Sequence, residues 1–169
     1  MQIRKTLIAC CLAAFSFAPG ATLAEPLVEP AAASPDLVVV LKADRVLYLY
    51  RDGIPIREYP IQLGKVPEGT KIREGDRRTP EGAYILDWRN PESQFYKSIH
   101  ISYPNARDMR RSARKNADPG SLIMIHGQPS YDFKTRYGDW TDGCIAISND
   151  AMDELWELVP QDTPIHIYP

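Results

Sequence analysis

Trp140-Thr141-Asp142-Gly143-Cys144-Ile145-Ala146-Ile147-Ser148-Asn149 is the stretch on which the reading of this 169-residue chain turns. It sets a cysteine directly after a glycine, close to a hydroxyl and a carboxylate, and just ahead of Ser148, Asn149 and Asp150, all good helix caps. The other two cysteines, Cys10 and Cys11, lie in an N-terminal segment laid out like a signal peptide. Once that segment is removed, Cys144 is a lone thiol in an exported protein. With no disulfide partner in its own chain, it is either a buried apolar filler or a working nucleophile.

The export reading rests on three features. Arg4 and Lys5 form a short positive region, residues 7–17 are apolar and uncharged, and Ala21-Thr22-Leu23-Ala24 offers small residues at the cleavage positions. Cleavage is expected after Ala24, giving a signal peptide over residues 1–24. The apolar run falls short of the roughly 20 residues a membrane-spanning helix needs, so no stable insertion is expected after cleavage. Leu7-Ile8-Ala9-Cys10 resembles a lipoprotein box, but cutting there would leave almost no apolar region after Lys5. Residues 25–35 carry three prolines and three consecutive alanines and read as a flexible spacer. Residues 36–169 then form one domain, large enough for a core. The mature chain has 18 basic and 22 acidic residues, a net charge of −4, which argues against nucleic acid as a partner. The basic cluster over residues 107–115 reads as a solvated helix face, with an anionic surface polymer as the other possibility.

The domain reads as mainly β with two helices. Residues 37–41, 46–50 and 54–63 suggest a three-stranded meander, with Asp52-Gly53 as a hairpin turn. Thr79-Pro80-Glu81-Gly82 is a turn before a strand over 83–88, and 99–103 is short and alternating. Asn105 caps a helix over 107–115. The apolar run 122–125 reads as a central strand buried on both faces, ending at His126. Met152, Leu155, Trp156 and Val159 recur at helical spacing behind the Ser148 caps, Pro160 stops that helix, and 164–168 is a final strand facing Ile165 and Ile167 inward.

His126 closes a buried strand and is followed by Gly127, which allows close approach of other backbone. An imidazole beside a thiol takes its proton and makes a strong nucleophile. Backbone N–H groups at Gly143 and Cys144 are the expected donors to a developing oxyanion. This set suits acyl transfer: thiolate attack on a carbonyl, a thioester, then transfer to an amine or water. An inert buried cysteine and a core histidine remain the alternative on residue types alone.

His126-Gly127, fourteen residues from Gly127 to Trp140, then Thr141-Asp142-Gly143-Cys144 resembles the signature of the L,D-transpeptidase catalytic domain, the YkuD-like family. Gly64, the run from Gly75 to Tyr84, and Ile101-Ser102-Tyr103-Pro104-Asn105 resemble its upstream segments. The resemblance spans residues 36–169. It implies a β-sandwich-like domain and a peptidoglycan tetrapeptide stem as substrate. Cys144 would be the nucleophile, His126 the general base, and Gly143 with Cys144 the oxyanion amides. Attack on the third residue's carbonyl would release terminal D-alanine. A second stem or a protein amine would then accept the acyl group, giving 3–3 cross-links in the first case. Two positions depart from the pattern: Asp142 replaces a second histidine, and Ala146 stands where Arg or Asn is usual. Both changes resemble a divergent murein branch with hydrolytic members.

The resemblance therefore leaves a carboxypeptidase or amide hydrolase as the alternative on the same fold. A non-catalytic peptidoglycan-binding module is the alternative of another class. Thr141 matches the motif's hydroxyl. His100, Gly127, Tyr137, Thr141 and Asp142 are the expected substrate contacts, with Tyr131, Phe133, Tyr137 and Trp140 in a segment overhanging the site. Arg136 is a candidate for a substrate carboxylate. Asp142 is a candidate either for holding an imidazole or for binding a substrate ammonium. No cofactor and no metal are expected, because His100, His126, His166 and Cys144 lack metal-ligand spacing. The implied location is the periplasm or cell envelope.

Overall fold

The computed structural model describes residues 34–169 apart from Phe133. The expected signal peptide and residues 25–33 of the spacer lie outside the described residues. The chain runs β1 (Leu37–Leu41), β2 (Val46–Arg51), β3 (Ile54–Pro60), β4 (Gly82–Asn90), β5 (Ser98–Ile101), α1 (Ala106–Ala113), β6 (Met124–His126), β7 (Ile145–Ala146), α2 (Asn149–Leu158) and β8 (Thr163–Tyr168). The domain is mainly β with two helices, and the strands form one sheet in the order β3-β2-β1-β8-β4-β5-β6-β7.

The expected meander is β1-β2-β3, antiparallel throughout. Its hairpin turns on Asp52 and Gly53 at φ 51° and 77°, the doubly positive pair that a tight two-residue turn needs to match strand twist. Alternation sets the inward face. Val38 and Val40 of β1, Leu47 and Leu49 of β2, and Ile165 and Ile167 of β8 are all buried, each side chain worth about 1.5–3 kcal/mol of apolar burial. β8 runs parallel to β1 and antiparallel to β4, so the last strand joins the two halves of the sheet.

The sheet curls back on itself. Beyond β3, Gln62 pairs antiparallel with Ala146 of β7 through two 2.8 Å backbone bonds. Gly64 bridges Thr141, with Thr141 N–H donating to the Leu63 carbonyl at 3.1 Å and Lys65 N–H to the Thr141 carbonyl at 3.0 Å. The end of the meander thus reaches the opposite edge, beside the Cys144 turn.

α1 has the Asn105 cap, completed by Asp108 as a capping box. Its buried residues are polar, Asp108 and Ser112. Tyr84 donates to Asp108 at 3.0 Å, and Ser112 donates to the Ile72 carbonyl. α1 therefore docks by hydrogen bonds, and Arg107, Arg110 and Arg114 face solvent. α2 is capped by Ser148 and buries Met152, Leu155 and, at its end, Val159.

One strand differs from its expected form. Residues 122–125 do not make a strand buried on both faces: β6 begins at Met124, and Leu122 is 62% exposed at φ 57°. The physical reason is local. Leu122 takes the left-handed backbone and its carbonyl accepts from the Cys144 thiol, so the pairing with β5 starts only at the Ile123 carbonyl, which accepts from Ile101 N–H at 2.9 Å.

Candidate active site

β6 and β7 run in parallel register, Ile125 with Ile145 and His126 with Ala146. That register brings the end of one strand beside the turn that starts the other, and Cys144 sits on that turn. Thr141 closes it: its hydroxyl donates to the Cys144 carbonyl at 2.7 Å and accepts from Gly143 N–H at 3.1 Å. Gly143 has φ 131°, and a Cβ there would lie 2.7 Å from the Arg78 carbonyl oxygen.

The Cys144 thiol is half-buried. It donates to the Leu122 carbonyl at 3.6 Å and accepts from Met124 N–H at 3.4 Å. Burial pushes its pKa up, while the Met124 N–H and the charge of Lys71 pull it partly back. His126 is buried at 3% exposure, and its Nδ1 lies 2.7 Å from the Gly127 carbonyl. A carbonyl only accepts, so Nδ1 carries the proton and Nε2 is left as the basic nitrogen. Phe95 packs on the imidazole at 4.8 Å between ring centres and Trp140 at 5.6 Å. This desolvation lowers the His126 pKa to about 4, against a smaller raising effect of the Gly127 carbonyl. Thiol and imidazole therefore rest uncharged at neutral pH.

The sign of the acid response follows. An unfolded histidine takes its proton near pH 6.5, whereas His126 in the fold does so near 4. Between those values the unfolded state binds more protons, so stability falls as pH drops through the window and is unaffected above it. The full effect is on the order of 3 kcal/mol. Urea titrations at pH 7.5 and 4.5 are expected to show this loss in the native chain and most of it removed in His126→Gln. An equal loss in both proteins would assign the acid response to other groups.

Cys144 and His126 line one cavity of about 270 Å³ with Phe95, Tyr131, Trp140 and Arg136. Arg136 lies over the Tyr131 and Trp140 rings, is held by Asp132 at 2.6 Å, and keeps a buried Nε without a partner. Two glutamines tie this overhanging segment down. Gln62 bonds the Arg136 carbonyl at 3.0 Å and accepts from the Trp140 indole, and the Gln128 side chain accepts from Arg136 N–H at 2.8 Å. Asp139 pairs with Arg45 at 2.7 Å and caps Leu63 N–H at 2.9 Å.

Of the other expected contacts, Thr141 and Asp142 also line this cavity, and His100 and Tyr137 do not. Asp142 does not touch the imidazole: it is exposed, 3.1 Å from Lys65 and 3.9 Å from Arg77, at the rim of the cavity. His100 is not among that cavity's lining residues. Asp87 and Trp88 occupy the bulge opposite it in β4, with Asp87 on Nδ1 at 2.7 Å and Trp88 stacked at 4.7 Å. Tyr137, at 82% exposure, lines a separate cavity of about 680 Å³ beside α2. Gly127 supplies the carbonyl that holds His126, and it is packed so tightly that a Cβ would lie 2.5 Å from Asn149 Oδ1. His166 sits in β8 against Tyr168. Phe95, Gln62, Gln128 and Lys71 were missed in the sequence, where none of them has a local spacing signal. Phe133 lies outside the described residues.

A thiol and an oriented neutral imidazole on adjoining ends of a curled sheet define a class of thiol–imidazole proteins suited to acyl transfer. The chain belongs to the L,D-transpeptidase catalytic domain family (YkuD), whose model matches residues 35–167. It is 33% identical over 138 residues to YafK of Escherichia coli (strain K12), covering 75% of this chain and 48% of that protein. Among solved structures it resembles the helical cell shape determining protein Pgp2 of Campylobacter jejuni, at TM-score 0.62 and 27% identity, covering 80% of this chain and 48% of that one. Bd1075 of Bdellovibrio bacteriovorus gives TM-score 0.58 and 28% identity, with 83% and 50% covered. The chain spans about half the length of these relatives.

Proposed function

We propose that this chain is an exported, cysteine-dependent L,D-transpeptidase acting on peptidoglycan tetrapeptide stems in the periplasm. One observation carries the reading. Cys144 shares a small cavity with His126, whose Nδ1 is fixed by the Gly127 carbonyl so that Nε2 serves as base.

The chemistry runs from a neutral pair. Nε2 takes the thiol proton as sulfur attacks the third-residue carbonyl. Gly143 N–H already donates to Thr141 Oγ1, so the oxyanion donor in this turn is Cys144 N–H, which donates to nothing among the described residues. This shifts the role from Gly143, whose part is to shape the turn. The imidazolium then protonates the leaving amine, D-alanine departs, and a thioester remains on Cys144. An incoming amine gives its proton to Nε2 and takes the acyl group, forming a 3–3 cross-link when it belongs to another stem. Arg136, with its unpartnered Nε, receives the carboxylate of the departing D-alanine.

Defined tetrapeptide stems followed by mass spectrometry test the reading. D-Alanine release with dimer formation supports transfer, D-alanine release without dimers makes the chain a carboxypeptidase, and neither product sinks the proposal.

A second consequence concerns the resting charge state. With the thiol pKa raised and the imidazole neutral, alkylation of Cys144 by iodoacetamide is expected to keep accelerating beyond pH ~9. A plateau near pH ~6 would instead reveal a resting thiolate–imidazolium pair.

A further inference from the structure

On the side of Cys144 away from His126 the surface changes character. A second cavity, of about 460 Å³, is lined by Cys144, Asp142, Leu122, Lys71, Glu74 and Arg77, among others. It shares Gly75 and Arg77 with a third, of about 500 Å³, lined by Arg73, Arg78 and Lys115 as well. Together they form a groove running from the thiol to the end of α1.

The groove carries more cations than carboxylates: Lys71, Arg73, Arg77, Arg78 and Lys115 line it against Glu74, Asp76 and Asp142. Arg73, Arg78 and Lys115 have no carboxylate within ion-pair distance among the described residues, and Arg77 reaches only Asp142, at 3.9 Å. The acid most deeply set in the groove, Asp76, is committed to Lys71 at 3.0 Å and to the N–H groups of Ile72, Arg73 and Arg78 at 2.7, 3.0 and 3.1 Å. This leaves the cations of Arg73, Arg78 and Lys115 facing the groove in a chain with an acidic balance overall. Such a lined cleft concentrates the opposite charge.

The chemistry at sulfur decides which part of a substrate lies here. The imidazole must protonate the leaving amine, so the leaving group sits in the small cavity with His126. The acyl portion then exits by the other mouth, into the cationic groove. We infer that the groove of Arg73, Arg77, Arg78 and Lys115 binds the acyl donor through free carboxylates that precede the scissile carbonyl. The enzyme thereby selects anionic stems over stems whose carboxylate is a carboxamide. This assignment rests on the function proposed above.

Binding to the Cys144→Ala chain tests it without requiring turnover. Two tetrapeptide stems are compared, differing only in a carboxylate or a carboxamide at the second residue. At low salt the carboxylate stem is expected to bind about tenfold more tightly, a preference lost in Arg73→Gln/Lys115→Gln and reduced in 0.5 M salt. Neither side chain makes a hydrogen bond among the described residues, so the double variant should fold as the parent does. Equal binding of the two stems, or an equal loss for both on mutation, overturns the inference. So does tighter binding of an anionic phosphate polymer than of the carboxylate stem. If the unsubstituted protein turns over no stem yet the Cys144→Ala chain keeps the carboxylate preference, the proposed reaction fails and the groove stands.

Discussion

Cys144→Ala is expected to lower D-alanine release by at least about four orders of magnitude and to abolish the single acyl adduct expected on the native chain after incubation with a carbapenem. The size follows from what would remain. His126 keeps its Gly127 bond and its aromatic packing, but the cavity it shares with residue 144 no longer holds a thiol to attack the carbonyl. The fold should survive, because Cys144 is half-buried and loses only its contacts to Met124 N–H and the Leu122 carbonyl, worth about 1 kcal/mol. Intact-mass spectrometry and a melting curve on the same sample separate chemistry from folding. Retained turnover, or an adduct on another residue, would remove Cys144 from the mechanism. His126→Gln should be nearly as damaging. A thiol whose pKa is raised by burial is almost wholly protonated at neutral pH and depends on a base more than an exposed thiol does.

Much of this was legible in the chain, and the division has a physical basis. Signals confined to a few residues read well. Asp52-Gly53 gave the hairpin, Asn105 and Ser148 gave the helix starts, and the spacing of Met152, Leu155 and Val159 gave the buried face of α2. The pair of His126 and Cys144 was legible because strand end and turn each carry a local mark. Contacts across long sequence separations carry no such mark. The parallel pairing of β1 with β8 joins residues more than a hundred apart, and the Gln62–Ala146 closure depends on how far the whole sheet curls. Phe95 stacks on His126 from an irregular segment, so no period announces it. His100 lies outside the small cavity for a related reason: a bulge in β4 sets Asp87 and Trp88 against it, and bulges are hard to read from one strand alone.

Gly143→Ala is expected to cost about a hundredfold or more in function, by geometry alone. Two constraints meet at this residue. Its φ of 131° lies where L side chains rarely go, and an added Cβ would stand 2.7 Å from the Arg78 carbonyl oxygen and 3.3 Å from Ile123 Cδ1. Either the turn or the loop carrying Arg78 must move. That loop resists, because the Asp76 carboxylate gathers three backbone N–H groups and Lys71 into one knot, and the Arg77 carbonyl accepts from Val66 N–H at 3.1 Å. The turn therefore yields, carrying with it the Gly143–Thr141 bond, the Cys144 sulfur and the Cys144 N–H. A displacement near 1 Å at reacting atoms costs roughly a hundredfold, so kcat should fall by about 10²–10³ and stability by about 2–4 kcal/mol. Gly53→Ala supplies the contrast. It has a positive φ of 77° but nothing within 4 Å of an added Cβ, so it should lose only about 1 kcal/mol and keep full turnover. Alkylation by iodoacetamide should persist in Gly143→Ala while D-alanine release is lost, since the thiol survives and only its placement changes. If Gly143→Ala instead loses no more than Gly53→Ala in both rate and stability, the turn is not held by the Arg78 loop and the tight seat assigned to Cys144 is wrong.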